Sequence, residues 1–483
     1  MKLVLLLIAL LSVLSLSAAK LAAASVGKSK LKVKQQRETE TKVVVADASV
    51  VADTSVVADA EGGGWRGPAC IIGGALAHLA LGTYYCWGNF QSYSPSHLRF
   101  FDGEEHPGST PDSNYVIPFT IVTQSMLVPI SPLIVKAVGA SNTMLIGTML
   151  AAGSIYMASF QKTLARFMFF YSLLFGAGIG IAYTAPMGAG WKWMPSAKGL
   201  VSGGILTGFG AGGFVFGKIG SKLANPTGAN AVNGLFPASV YENFPGMLRK
   251  LSVMYAVLGL VGSLMVTEPK AVETTASGPP ADLPGLTVGE SLTTRQFWTL
   301  WFMVITCATA GLNTAAVYKQ FAATSDALAG DGFQSLVGGI GALFNGFGRL
   351  FWGTVSDKIG FKASFTILSL LQAAAMMTYF FSTGSKMAFL VNTCTLFFTL
   401  AGNFSLVPPA VQGVFGPKSG SIVYGLLYTA FASASVGGGI LTKAMVKSLG
   451  WQKVFQTLGV ASLVATGLVS TFTPIASYAG STM

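Results

Sequence analysis

Charged side chains are scarce in this sequence: they make up 10% of its 483 residues, against 52% for hydrophobic ones. Soluble globular domains are about a quarter charged. The composition excludes that class and, with a mean hydropathy of +0.60, indicates a protein that crosses a bilayer many times. Acidic residues are the scarcer sign, 18 Asp and Glu against 30 Lys and Arg. All of them fall in the N-terminal segment, in loops or at the ends of apolar runs, and none in the middle of one. Proton-driven carriers commonly relay protons through membrane carboxylates. Without one, proton symport would need His78 or a substrate that brings its own proton, and facilitated diffusion or anion exchange is the simpler expectation. Cysteine is nearly missing: Cys70, Cys86, Cys307 and Cys394 all lie in apolar runs, and no two form a CxxC. No His or Cys stands at metal-ligand spacing, so the thiols read as buried and inert, with no metal or cofactor expected. The sequence has no phosphate-binding P-loop, and no nucleophile–base pair or carboxylate dyad in its apolar runs. That argues against an ATP-driven pump and against an intramembrane enzyme. The net charge of +12 is scattered, without an RNP-like aromatic pattern or a long basic helix. The expected partner is therefore the lipid bilayer and not nucleic acid.

What the sequence does contain is a long-range repeat. Gly180, Pro186, Pro195, Val201, Gly203, Thr207 and Phe209 recur as Gly402, Pro408, Pro417, Val423, Gly425, Thr429 and Phe431, each pair offset by 222 positions. That is far longer than a solenoid repeat and reads as a duplicated half. Two related apolar halves are the usual build of a secondary transporter, with its site at the midplane between them. After Trp65, about twelve apolar runs are long enough to cross roughly 30 Å of hydrocarbon. The expected fold is all-α and integral to the membrane, with twelve helices in two pseudo-symmetric six-helix bundles.

The chain divides accordingly. Residues 1–64 read as a presequence, 65–267 as the first bundle, 268–295 as a central loop, 296–475 as the second bundle and 476–483 as a tail. In the presequence, an apolar run from Leu3 to Leu16 followed by Ser17, Ala18 and Ala19 has the form of a signal peptide. A basic, acid-poor segment and three VVAD repeats over Val44–Glu61 follow. Three readings stay open: a two-part plastid presequence, an ordinary secretory signal, or an uncleaved anchor. Plasma membrane, endomembrane and plastid envelope are all compatible. Lys and Arg divide almost evenly between the two sets of loops, so charge does not orient the chain. The sixth span is expected over 248–267, after a long polar loop over 221–247.

Four features bear on mechanism. Gly353-Thr-Val-Ser-Asp357-Lys358-Ile-Gly360-Phe-Lys362 lies between spans eight and nine and resembles the GxxxD(R/K)xG(R/K)(R/K) signature of the major facilitator superfamily. Its glycines permit close helix approach and a tight turn, its Asp can meet a helix N-terminus, and its basic residues can pair across the bundle. In the first half the same place holds Pro132 and Lys136, so that latch is degenerate. Second, Arg349 lies inside span eight. A charge near a helix centre costs about 2.5–3.5 kcal/mol on insertion scales and usually faces a cavity or a partner, and a guanidinium fork fits a carboxylate. Alternatively, Arg349 snorkels or pairs with Asp357. Third, His78 in span one is either a hydrogen-bonded core histidine or part of the site. Fourth, Tyr84, Tyr85, Gln124, Tyr183, Asn403, Tyr424 and Tyr428 supply polar or aromatic groups to the spans, suited to a small polar ligand.

At these residues the chain resembles the oxalate:formate antiporter family of the major facilitator superfamily. The resemblance rests on Tyr85-Cys-Trp-Gly88, Gly176-Ala-Gly-Ile-Gly180-Ile-Ala-Tyr183-Thr-Ala-Pro186, Trp193-Met-Pro195-Ser-Ala-Lys198-Gly199-Leu-Val-Ser-Gly203, Asn345-Gly-Phe-Gly-Arg349 and Tyr424-Gly-Leu-Leu-Tyr428-Thr-Ala430. It implies a monomeric alternating-access carrier of small carboxylates. In such a carrier the arginine at the Arg349 position contacts the substrate carboxylate, and side chains at Tyr85, Tyr183 and Gln124 line the cavity. Family members that move oxalate have a lysine directly after Tyr-Thr-Ala, where this chain has Phe431. The resemblance therefore implies one fixed cation instead of two, and a monoanion such as formate, acetate, lactate or pyruvate. The candidate site is Arg349, Tyr85, Tyr183, Gln124, His78, Tyr428 and Phe431. The candidate gate is Gly353, Asp357, Lys358, Gly360 and Lys362. A same-fold carrier of an amino acid or neutral metabolite, and a receptor that binds without moving its ligand, are the competing functions.

Overall fold

The computed structural model describes residues 64–104, 111–229, 235–269, 285–328 and 330–473. The signal-like run, the basic segment, the VVAD repeats and the tail lie outside the described residues. Inside a bilayer each backbone polar group must be satisfied within its own segment, and helices do this here. The first half has α1 (Arg66–Tyr93), a bent α2 (Asp112–Leu127 and Ser131–Val138), α3 (Ala140–Ala158), α4 (Leu164–Trp193), α5 (Lys198–Ala224) and α6 (Ala238–Met265). The second has α7 (Arg295–Ala322), α8 (Asp331–Ile359), α9 (Phe361–Gly384) and α10 (Lys386–Phe415). The Gly420–Thr471 helix, broken at Gly450, supplies α11 (420–449) and α12 (451–471). Eight of these helices, counting 420–471 once, are individually long and apolar enough to cross a membrane, and the bent α2 makes a ninth. The break at Gly450, together with α3 and the glycine-rich α8, brings the long helices among the described residues to twelve.

Proline and glycine explain the irregularities. α2 bends by 51° between Leu127 and Ser131, where Pro129 lies and Pro132 follows. α4 breaks at Thr184, just before Pro186, which has no N–H to give. The turns that join α2 to α3 and α8 to α9 pivot on Gly139 (φ 83°, ψ 163°) and Gly360 (φ 82°, ψ 161°). These are almost the same conformation, in the left-handed range that favours glycine, so the duplication extends to backbone geometry.

Two boundaries differ from the sequence reading. α6 starts at Ala238, ten residues before the expected 248, because Pro237 is an extended residue that opens the helix and the polar first turns extend it beyond the apolar stretch. In the stretch expected to be loop, Val288–Thr293 is helical, closed by a capping box between Thr287 and Glu290.

The halves meet along two seams, α5 against α8 and α2 against α11. A Cβ on Gly203 would strike the carbonyl oxygen of Arg349, and one on Gly425 would lie 2.5 Å from Pro129 Cα. Gly203 and Gly425 are repeat partners. Each copy uses its missing side chain for the same purpose, to bring its helix against the other half.

Candidate functional site

Arg349 lies about two thirds of the way along α8, ten residues before its end, and is 0% exposed. Its Nε donates to Asn345 Oδ1, one turn earlier, at 3.3 Å, and Asn345 Nδ2 is spent on the Phe397 carbonyl at 3.1 Å. The guanidinium sits between Phe404 of α10, 4.6 Å from the ring centroid, and Phe209 of α5, at 5.3 Å. Nη1 and Nη2 have no hydrogen-bond partner. Thus Arg349 neither snorkels nor pairs with Asp357. A buried, uncompensated cation costs several kcal/mol, and two cation–π contacts at about 0.5–2 kcal/mol each offset only part of that. The fork is left with both Nη atoms unsatisfied.

The residues around it come from both halves. Tyr183 of α4 packs against Phe209 (5.4 Å) and against Tyr428 of α11 (5.3 Å). Tyr428 packs on Phe431 (5.0 Å), which stacks on Phe404 (4.5 Å, interplanar 13°). Tyr85 of α1 meets the edge of Phe209 at 6.1 Å. Gln124 of α2 donates to the Tyr428 hydroxyl at 2.8 Å, joining the halves. The hydroxyls of Tyr85, Tyr183 and Tyr424 and Gln124 Oε1 are buried without partners. The set is dominated by donors, as an anion requires. His78 is also here, 5.4 Å from Tyr183 ring to ring, but its Nδ1 and Nε2 face the backbone carbonyls of Gly74 (2.8 Å) and Tyr183 (3.2 Å).

Sequence reasoning left Phe209 and Phe404 out of the candidate site. Phe209 was visible as half of a repeated pair with Phe431; it packs against Arg349 directly, while Phe431 stacks on Phe404, the guanidinium's other ring contact. Phe404 is four residues before Pro408, so its carbonyl lacks the usual helical donor. Tyr183 likewise ends the first limb of α4 just before the Thr184 break. The repeated prolines therefore break α4 at Thr184 and remove a backbone hydrogen bond from the otherwise continuous α10, in both cases next to residues of the Arg349 cluster.

The expected gate residues take distinct places. The Asp357 carboxylate accepts from the N–H groups of Gly199 (2.8 Å) and Leu200 (2.7 Å), capping α5 across the seam. Gly353 and Gly199 approach so closely that a side chain on either would hit the other's backbone. Lys358 is exposed, and Lys362 Nζ lies 3.4 Å from the Phe472 carbonyl at the end of α12. In the first half, Lys136 is exposed and the acid comes from Glu268, after α6. Its carboxylate accepts from Ala140 N–H at 3.0 Å and pairs with Lys192. Partial burial works against that charge, but Lys192 and the Ala140 N–H outweigh it and hold the carboxyl below the usual range. One clamp thus crosses between halves and the other stays within one. A carboxylate on a helix N-terminus contributes about 0.3–1 kcal/mol, so Asp357→Asn is expected to slow exchange about two- to fivefold while ligand affinity in a binding assay stays the same. An unchanged exchange rate would mean that the cap does not govern the closing of this seam.

No protein-family model matches the chain. It is 25% identical to apicoplast pyruvate carrier 1 of Toxoplasma gondii, over 82% of this chain and 87% of that protein. It is 27% identical to the oxalate:formate antiporter of Oxalobacter formigenes, over 68% and 74% respectively. In structure it matches the Escherichia coli fucose:proton symporter FucP with a TM-score of 0.60 at 13% identity, covering 84% of this chain and 98% of that one. A structure of FucP in the outward conformation gives 0.61 at 12% identity; at such identity the likeness speaks for the fold alone. With relatives aligned across most of both halves, on a fold shared with a solved carrier, the chain is a multi-pass membrane transporter with the major facilitator fold, and it is similar in sequence to oxalate:formate antiporter-like carriers.

Proposed function

We propose that this transporter carries small monocarboxylates by alternating access, with Arg349 pairing the carboxylate. The observation that supports this most directly is the pair of unpartnered Nη atoms buried between Phe209 and Phe404. A carboxylate received in the plane of that fork gains two charge-assisted hydrogen bonds, and the Tyr85, Tyr183 and Tyr424 hydroxyls are available to a second oxygen. The stacked Phe404 and Phe431 rings offer an apolar surface to a methyl group. Pyruvate has each of these parts: a carboxylate, a keto oxygen and a methyl. A relative named as an apicoplast pyruvate carrier supports the same class and favours a plastid envelope as the membrane. Phe431 leaves Arg349 as the single cation at the centre, which suits one carboxylate better than two.

Counterflow in proteoliposomes tests this reading. Labelled pyruvate should enter vesicles preloaded with pyruvate, lactate, formate or acetate, and only weakly those preloaded with oxalate. Phe431→Lys should raise oxalate over pyruvate by about tenfold or more, since a hydrogen bond to a charged group contributes about 1.5–3 kcal/mol. Flux confined to a neutral amino acid, or strong oxalate exchange by the unmodified protein, would refute the single-cation site. Saturable binding with no flux would make the protein a receptor.

A further inference from the structure

We propose, on the basis of the monocarboxylate reading, that His78 holds the coupling proton, so that one H⁺ crosses with each monocarboxylate anion. The geometry of the ring carries the argument. Nδ1 is 2.8 Å from the Gly74 carbonyl oxygen and Nε2 is 3.2 Å from that of Tyr183. A neutral imidazole has one N–H and one lone pair, so either tautomer directs a lone pair at a carbonyl oxygen. The imidazolium alone donates to both.

The two carbonyls are held in place by the fold. Gly74 lies one turn before His78, and its missing side chain lets α1 press onto the α4 break, where a Cβ would be 2.9 Å from Pro186 Cβ. That contact brings His78 beneath the carbonyl of Tyr183, the last residue before the break. The ring is fully buried and at the level of the site, with Tyr183 at 5.4 Å and Phe209 at 5.9 Å. Phe209 is the same ring that flanks Arg349.

The groups facing His78 define how it would be coupled. Arg349 of α8 is the charged side chain that acts on it. Tyr84 and Tyr85 follow on its own helix, Tyr183 comes from α4, and Tyr255 of α6 lies further along, beside Thr83. At this level α5 presents Phe209, which does not titrate. No carboxylate of the described residues lies in the middle of a span. In the empty site a second cation near Arg349 is unfavourable, and a bound carboxylate removes much of that penalty. Anion and proton therefore favour each other's binding, reciprocally, as linkage requires. On transfer, one anion and one proton enter from the same side and leave on the other, so the substrate step is electroneutral. This gives a proton path to a protein whose described spans hold no acid near their middle.

The test uses the full purified chain and pyruvate. Calorimetry in two buffers of different ionisation enthalpy should show pyruvate binding with the uptake of close to one proton. In proteoliposomes with an acid exterior and a difference of two pH units, uptake above that of protein-free vesicles should approach a gradient of about 100-fold. Any flux that survives in His78→Gln should equilibrate without accumulation, while His97→Gln, in a loop, should accumulate as the unmodified protein does. Binding without proton uptake by the unmodified protein, or pH-driven accumulation by His78→Gln, would overturn the proposal. The calorimetric result decides even if His78→Gln does not fold. Exchange that ignores the pH gradient would sink the proton site alone, whereas no binding or exchange of any carboxylate would sink the monocarboxylate reading beneath it.

Discussion

Arg349→Met is expected to reduce pyruvate exchange by about 100-fold or more without lowering the thermal midpoint of the empty protein. Truncating one side of a buried, hydrogen-bonded charge pair costs about 2–5 kcal/mol, and each 1.4 kcal/mol is a factor of ten. The stability side of the prediction is the more diagnostic one. In the empty site the guanidinium has one hydrogen bond, to Asn345, and two ring contacts, with both Nη atoms unmet. Removing an uncompensated charge from such a place while keeping similar volume should be neutral or stabilising. A purely structural arginine would behave in the opposite way: loss of the side chain would lower the midpoint, and transport would fall only because folded protein is lost. Arg349→Lys separates charge from shape. It keeps the cation but loses the planar fork, so exchange should fall between the unmodified protein and the Met variant. Full transport by Arg349→Met in counterflow would remove the carboxylate from this residue.

Gly203→Val should abolish exchange with the protein still inserted and folded. The new side chain would meet the Arg349 carbonyl oxygen and Leu350 Cα, both backbone atoms that no rotamer change can move. Overpacking of this kind costs about 1–3 kcal/mol, and the halves can avoid it by staying apart along the α5–α8 seam. That would favour the state open at the Asp357 end and stop the cycle there. Spin labels placed on the exposed ends of α5 and α8 should report a wider separation in the variant. Normal exchange by Gly203→Val, with an unchanged distance distribution, would show that close contact at this seam is not needed for turnover.

Much of the architecture was legible along the chain because it follows from local composition and from repetition. Apolar runs long enough for a bilayer announce helices, and a 222-residue offset between matched glycines and prolines announces two halves. The latch motif was legible for a similar reason, since an acid placed among glycines at a helix turn has few roles other than capping. Where the sequence reading erred, the signal was polar. The first turns of α6 and the short helix Val288–Thr293 are helices held by caps and not by apolar runs, so hydropathy passes over them. The site was legible in part. Arg349, Tyr85, Tyr183, Gln124 and Tyr428 stand out as polar groups in apolar surroundings. Phe404 does not, because a phenylalanine in a membrane span is unremarked until its neighbour is known, and Phe209 stands out only as the repeat partner of Phe431.

The sequence by itself determined the class of molecule: a membrane-embedded, duplicated, all-helical chain with one interior arginine, no acid in the middle of an apolar run and a single intact latch. These are properties of composition and order, and they hold whatever the helices touch. The tertiary structure decided what each residue faces. It placed Arg349 between two rings with its fork unmet, joined Gln124 to Tyr428 across the halves at 2.8 Å, and moved the first half's acid from the latch loop to Glu268. It also turned both nitrogens of His78 onto carbonyls. These outcomes depend on which helix faces pack together over separations of a hundred residues or more, and close packing selects those faces for the whole bundle at once.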